Sequence, residues 1–432
     1  MNKSGDFQKD IDILSNELVS IINFPIRIVA EKSISGIVAA SIFTKMFSDK
    51  NVNFSLSFAD MLDDSLVKEI NLDSCKTIIL LGLNGDKISS IEGKKLFLIS
   101  SRKLFVSDTL NKASNLEFSI ASYFISKQAG YSRDCSPIVL IPFCDEMNNE
   151  LLREILKEAL ESKKLTKAEG FNIFGSNTRQ FHKVLEFSTN PFILGISGSE
   201  ENAISLIKEL NIGSRDNGFV ALMDLEEDDV NKIISTLALS HENVKKQEIF
   251  LLSSDGPLAD LREFKEFLKA CVVFNKPSFG VAKCLGSKNF KNRALELLKE
   301  YKLEIINALN WYYTKSDENN ILEKENLVVI NYTDKLKHEV LEDVVSLISK
   351  FTPKFSEKRL VAMCHASGGR IKCCMPESCV DSVASKFFLD FNIKCFKSNH
   401  VLYFFIDSYE DTKLIELFVE NLEKVRVEQI VS

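Results

Sequence analysis

No stretch of this 432-residue sequence approaches the roughly 20 consecutive apolar residues that cross a bilayer. Its first residues, MNKSGDFQKDIDILSNEL, lack the basic-then-apolar order of a secretory signal. The chain is therefore expected to be cytoplasmic and to make no membrane contact. It also lacks a basic excess: 54 Lys and Arg stand against 61 Asp and Glu, a formal net charge of -7, so no global positive field draws it onto nucleic acid. Any such contact has to be local. Internal repeats are absent. The five histidines, His182, His241, His338, His365 and His400, are scattered over different elements. No Ser-His-Asp or Cys-His set can be placed from them, and each reads as a surface or satisfied core residue.

What is present is enough apolar material for more than one core. At 45% hydrophobic over 432 residues, two or three domains are expected. Ten cysteines without a secretory signal are expected to be reduced thiols. Cys364, Cys373, Cys374, Cys379 and Cys395 invite a zinc reading, but their spacing is not the paired CxxC of zinc knuckles. Small apolar core residues in strands are the plainer account.

From Phe24 onward, short β-type runs alternate with helical stretches. PIRIVAE, VNFSLSFA, TIILLGL and KLFLISS read as strands, and SGIVAASIFTKMFSD as a helix. This alternation implies right-handed βαβ units and a mostly parallel sheet covered on both faces. ASNLEFSIASYFISKQAG, a helix, and the apolar run PIVLIPFC extend the pattern to about residue 146. In NNELLREILKEALESKK, Leu151, Leu152, Ile155, Leu156, Ala159 and Leu160 share one helix face.

Residues 165–250 are mainly helical in pattern, with ISGSEENAISLIKELNIG running from a capping serine to a glycine stop. Asp224, Glu226, Glu227, Asp228 and Asp229 resemble an acidic site, yet acids in a first helical turn have a plain dipole explanation. IFLLSS and FGVAKCL then read as strands around the helix PLADLREFKEFLKAC, followed by the long helix ALELLKEYKLEIINALNWYY and the polar linker TKSDENNILEKEN. LVVINYT, RLVAMCHA, GRIKCCMP and VLYFFID read as strands. HEVLEDVVSLISKF, CVDSVASKFFLDF and DTKLIELFVENLEKV read as helices. The expected fold is α/β: a parallel-sheet domain over 1–164, a mainly helical insertion over 165–250, a return to the first domain with a connecting helix and linker over 251–323, and an α+β C-terminal domain over 324–432.

IRIVAEKSISGIVAASIFTKMF resembles the first motif of the DHH phosphoesterases of the RecJ and archaeal GAN type, a strand ending in H-x-D-x-D-G before a helix. Glu31 stands for the histidine, Ser33 and Ser35 for the aspartates, and Gly36 for the glycine. Gly82, in TIILLGLNG, falls where the family places its next metal-binding aspartate. Ser100, Ser101 and Arg102 occupy the place of the Asp-His-His triplet, and Asp145, in LIPFCDEM, matches the later aspartate.

The resemblance continues through FGSNTRQFHKVLEFSTNPFILGISGSEENAISLIKELNI. It extends to PLADLREFKEFLKACVVFNKPSFGVAKCLG, where Lys269, Val272 and Val273 replace the asparagine, glycine and arginine of a family motif. The C-terminal part is similar to the DHH-associated domain; of its G-G-H signature only His400 matches, after Ser398 and Asn399.

The resemblance implies a parallel-sheet DHH domain and a site that in the family holds a Mn or Mg pair. Hard cations need several anionic oxygens, which serines, a glycine and an arginine do not supply, so the metal pair is expected to be absent and the chain a pseudoenzyme. Ser35 and Gly36, opening a helix, together with Arg102 form a candidate phosphate site, against a plain helix cap by Ser33 or Ser35. KCLGSKNFKNRALELLKEYK, with Lys283, Lys288, Lys291, Arg293, Lys299 and Lys302, is the best local basic patch. Weak contact with single-stranded nucleic acid is expected there and at His400.

Within the family, degenerate motifs on a nearly complete scaffold suggest the archaeal counterpart of the RecJ-related subunit of the CMG replicative helicase, which binds GINS and MCM. Two alternatives stay open: an inactive subunit paired with an active RecJ-like or RNA-degrading nuclease, and a surviving single-strand exonuclease or phosphoesterase with unusual ligands.

Overall fold

The structure is a computed structural model that describes residues 3–21, 24–83, 87–107, 109–131, 135–145, 147, 149–171, 173–212, 214–215, 218–219, 221, 225–238, 246–253, 258–287, 291–314, 320–323, 327–333, 335–351, 359–366, 370–375, 395–398 and 401–405. Two compact units are present, one of residues 1–170 and 247–298, the other of residues 171–246 and 299–432.

The first unit opens with α1 (Lys3–Ile21), β1 (Ile26–Glu31), α2 (Ile34–Asp49), β2 (Phe54–Ala59), α3 (Asp64–Leu72), β3 (Thr77–Leu81) and β4 (Lys95–Ile99). It continues through β5 (Lys103–Val106), β6 (Leu110–Ala113), α4 (Phe118–Gln128), α5 (Ser136–Val139), α6 (Glu150–Glu161) and β7 (Leu165–Phe171). Its sheet has the order β2-β1-β3-β4-β5-β6; the first four strands are parallel and the last two antiparallel.

The interior strands are apolar at nearly every position because both faces are covered. On one face Val29, Ile78, Leu80, Leu96 and Leu98 pack with Leu62, Leu66, Val67 and Ile70 of the α3 region. On the other face α2 lies against β1, with residues from Gly36 to Phe47 buried around it. The connection through α2 goes from β1 to one neighbour, β2, and the connection through α3 reaches the other, β3. The sheet therefore has its topological switch point at the carboxyl ends of β1 and β3, where α/β folds bind ligands.

The chain crosses into the second unit through α7 (Phe181–Glu186), α8 (Glu200–Glu209), β8 (Ser214–Arg215), β9 (Gly218–Phe219) and α9 (Glu227–Ala238). Phe171, Ile173, Phe181, Val184, Leu185, Ile207 and Ile233 form a core there. Next come β10 (Lys246–Leu252), paired with β7, then α10 (Leu261–Val273), α11 (Pro277–Cys284) and α12 (Lys291–Thr314). The remainder of the second unit holds β11 (Ile321–Glu323), β12 (Leu327–Thr333), α13 (Leu341–Phe351), β13 (Arg359–Ala366), β14 (Arg370–Cys374), β15 (Cys395–Ser398) and β16 (Val401–Phe405). These strands form a mixed sheet ordered β11-β12-β13-β14-β16-β15, with α13 packed on β13. The fold class is α/β with a parallel-rich sheet.

Two apolar runs differ from their sequence reading. FGVAKCL is not a strand but most of α11: Pro277 sits at its first turn, where a fixed φ and a missing N–H suit a helix start. PIVLIPFC is α5 followed by a 3-10 turn over Ile141–Phe143, each begun by a proline. The expected helices CVDSVASKFFLDF and DTKLIELFVENLEKV lie outside the described residues. Cys364, Cys373 and Cys374 are buried free thiols on β13 and β14, and Cys379 lies outside the described residues. Glu227, Asp228 and Asp229 fill the first turn of α9, as the dipole account has it.

One buried cation anchors β1. Arg27 is 7% exposed and donates to Asp73 at 2.7 Å and to Glu69, both from the end of the α3 segment. Asp73 is held below the usual carboxylate range, first by the amide of Cys75 and then by Arg27, against the opposing effect of burial. Arg27→Ala leaves that carboxylate with less compensation. It is expected to lower stability by roughly 2 kcal/mol in denaturant unfolding, within the range for a broken, partly buried ion pair.

Candidate functional site at the carboxyl edge of the parallel sheet

β1, β3 and β4 end level with one another: Ala30 pairs with Leu81 and Leu81 with Ile99. The next residues, Glu31, Gly82 and Ser100, therefore stand side by side along one edge. The first and third candidate motifs and the intervening glycine are brought together by strand register alone.

At the end of β1 the main chain turns sharply into α2. Ser33 caps the helix: its Oγ accepts from the Gly36 amide at 3.0 Å and donates to Glu31 Oε2 at 3.0 Å. Ser33 takes the cap and Ser35 lies half-buried in the first turn. Gly36 has a stronger reason to be glycine, since a Cβ there would stand 1.9 Å from the Glu31 carbonyl oxygen. That conflict is one of main chain with main chain.

Burial pushes the Glu31 carboxyl above its ordinary range; the Ser33 hydroxyl works the other way, and Glu117 and Asp60 push it further up. Glu117 is engaged as the cap of α4, accepting from the Ser119 amide at 2.8 Å and the Ile120 amide at 3.2 Å. Asp60 is paired with Lys32 at 2.8 Å. Glu117, Asp60 and Phe118 were not singled out in the sequence. Glutamate is an unusual cap, and nothing local marks these residues as neighbours of Glu31.

Gly82 adopts φ +79, the left-handed region, and its amide bonds the Ile99 carbonyl at 2.8 Å. A Cβ on Gly82 would lie 2.6 Å from Phe118 Cζ and 2.9 Å from Glu31 Cβ. The ring of Phe118 fills the volume into which a side chain at 82 would project. Ser100, Ser101 and Arg102 form the turn from β4 to β5. Ser100 is 3% exposed, and its hydroxyl accepts from the Lys103 amide at 3.0 Å and donates to the Lys103 carbonyl at 3.1 Å. Ser101 and Arg102 are exposed. Asp145 is exposed as well and pairs with Lys265 of α10 at 2.7 Å.

The donor set does not fit a divalent metal pair, which needs about six oxygen ligands per ion. Glu31 is a carboxylate whose charged form is disfavoured, its neighbours Glu117 and Asp60 are engaged by the amides of α4 and by Lys32, Ser33 and Ser100 spend their hydroxyls on local turns, and Gly82 offers nothing. Among the described residues no three His, Cys, Asp or Glu side chains converge as ligands would.

Arg293 is exposed on α12, Lys291 opens that helix, and Lys288 and His400 lie outside the described residues. Lys302 departs from the expected solvated patch. It is 4% exposed, donates to Thr189 Oγ1 at 3.1 Å and lies 4.4 Å from the Phe174 ring centroid.

Two outcomes test this geometry. Gly82→Asp should not create a metal site and should destabilise the protein by roughly 2–3 kcal/mol, through a strained φ and overpacking against Phe118. A manganese titration followed by calorimetry, with a denaturation curve, checks both parts. Because the folded protein holds a proton on Glu31 more tightly than the unfolded chain does, the wild type loses stability as pH rises above the ordinary carboxylate pKa of 4.5. Glu31→Gln should therefore melt higher than wild type at neutral pH, with the difference closing below that value.

Comparison with known proteins places this geometry. The DHH-CID domain family matches residues 173–249. The chain is similar in structure to CDC45 from Entamoeba histolytica, with a TM-score of 0.64 at 11% identity over 90% of this chain and 94% of that one. Similarity to exonuclease RecJ bound to manganese gives a TM-score of 0.55 at 8% identity, covering 96% of this chain and 94% of that one. For RecJ in complex with Mn2+ from Thermus thermophilus the TM-score is 0.54 at 9% identity; the match covers 97% of this chain and only 55% of that longer one. No curated protein sequence matches. Among the described residues no helix is long and apolar enough to cross a membrane. The likeness is one of fold: the chain shares the fold of the CDC45 and RecJ structures and carries a match to the DHH-CID domain over residues 173–249.

Proposed function

We propose that this chain is a non-catalytic RecJ-like scaffold of an archaeal DNA replication machinery, holding GINS and MCM proteins in a CMG-like helicase complex. The observation that carries the reading is the Phe118 ring over Gly82: the volume a ligand side chain needs at the switch point is filled by an apolar one. Support comes from the fold of CDC45, which runs nearly the full length of both chains. No metal pair is required in this role. The sheet edge then serves as rigid framework, and the useful surfaces lie elsewhere on the units.

Single-stranded nucleic acid, on this reading, is held weakly through Arg293, Lys291 and Lys288, whose contacts would be with phosphates. Such binding falls steeply with salt.

Affinity capture of the native protein, followed by mass spectrometry, should recover GINS and MCM subunits. Recovery of an active nuclease in their place would overturn the scaffold assignment in favour of a paired regulatory subunit. The purified protein should also release no nucleotides from single-stranded DNA or RNA with manganese present. A manganese-dependent activity that copurifies with the chain and is lost in Asp145→Ala would show that it is an enzyme.

A further inference from the structure

The sheet of the first unit ends at β2, which among the described residues is hydrogen-bonded to β1 alone. The Asn53 carbonyl accepts from the Ile26 amide at 3.0 Å and the Ala59 carbonyl from the Lys32 amide at 2.9 Å, so the odd-numbered residues of this strand face β1. Alternation along a strand then turns the amides and carbonyls of Phe54, Leu56 and Phe58 outward. Natural edges of this kind are blunted by charge, proline or a bulge. β2 reads Phe-Ser-Leu-Ser-Phe-Ala and carries none of these. Phe54, Leu56 and Phe58 are half-buried, Ser55 is exposed, and the Ser57 hydroxyl is shielded from solvent without a hydrogen-bond partner.

From Phe54 to Phe58 the strand is a palindrome centred on Leu56. Pairing two copies antiparallel about a twofold axis sets each strand against its own reverse, and this is the arrangement that a palindrome makes self-complementary. With the axis at Leu56, that residue meets the Leu56 of the second copy, Phe54 meets the second copy's Phe58, and Ser55 meets the second copy's Ser57. The outward main-chain groups obey the same register. Phe54, Leu56 and Phe58 fall at the positions that exchange paired hydrogen bonds, while the serines fall at the intervening positions where opposed side chains come closest. The orphaned Ser57 hydroxyl gains a partner there. An apolar ladder forms on one face and a serine ladder on the other.

We propose that β2 is a homodimer interface, pairing antiparallel with β2 of a second copy so that the two sheets become continuous. The inference is independent of the replication reading, since it rests on the strand alone. A strand pair this short falls at the small end of specific interfaces, below about 1,200 Å² in total, so association is expected in the micromolar range.

Sedimentation equilibrium on the full chain from about 1 to about 200 µM should show the mass rising from monomer to dimer, as expected of a micromolar equilibrium. Leu56→Lys sets two ammonium groups against each other at the axis and should weaken association by about tenfold or more, with the melting temperature little changed. Leu56→Glu should do the same, and an equimolar mixture of the two variants should dimerise again. In the double variant Ser55→Cys/Ser57→Cys, oxidation should yield a covalent dimer, whereas Ser55→Cys alone should not. A wild-type chain that stays monomeric throughout overturns the proposal and leaves the edge to an extended segment of another protein. So does a dimer that survives Leu56→Lys, or one that the double cysteine variant fails to cross-link.

Discussion

The approach of α2 to the last carbonyl of β1 governs the first unit. With 1.9 Å between the Glu31 oxygen and the place a Cβ would take at Gly36, no rotamer change relieves the contact; either the strand or the helix would have to move. Moving α2 would disturb a helix buried along most of its length against β1, α4, α10 and α11. Ser33 completes the turn by satisfying an amide that would otherwise lack a partner. The strand, the cap, the glycine and the helix therefore form one geometric unit, whatever stands in front of it.

The side chains in front obey a different constraint. In a metal site, clustered carboxylates are stabilised by the cations they hold. Glu31, Glu117 and Asp60 lie near one another, and each is managed separately: Glu31 by holding its proton more firmly, Glu117 by the amides of α4, Asp60 by Lys32. Phe118 then closes the space beside Gly82, and Ser100 locks the turn from β4 to β5. The edge is stable because its acidic groups have been given local partners and its volume has been filled.

These two constraints explain what the sequence disclosed. Strand register and the glycine turn are set by local pattern, so PIRIVAE, TIILLGL and KLFLISS were legible and the positions of Glu31, Gly82 and Ser100 followed from them. FGVAKCL was not, because a short apolar run fits a buried strand and a buried helix equally. Pro277 carried the deciding signal, as a helix start, while the hydropathy of the run pointed to a strand. Lys302 looked solvated by its lysine-rich context; its burial over Phe174 depends on residues more than a hundred positions away. Glu117 and Phe118 were illegible for the same reason, since only the folded sheet brings them to Glu31.

The same distinction accounts for the resemblance that runs through residues 174–212, a stretch outside the candidate motifs. That stretch is held to α12 by a series of close contacts within the second unit. A Cβ at Gly198 would stand 2.7 Å from Ile306 Cγ2, Asn310 donates to the Ser197 carbonyl at 3.3 Å, and Phe192 stacks on Tyr313 with ring centroids 5.6 Å apart. Lys302 reaches Thr189 from the same helix. A substitution in the loop therefore strains a long helix whose other residues, such as Tyr301 bonded to Asp343 at 2.8 Å, tie it to the C-terminal sheet region. Packing of this kind constrains residues whether or not the protein hydrolyses anything. The frame of such a fold is consequently a poor guide to catalysis, which depends on the side chains at the sheet edge.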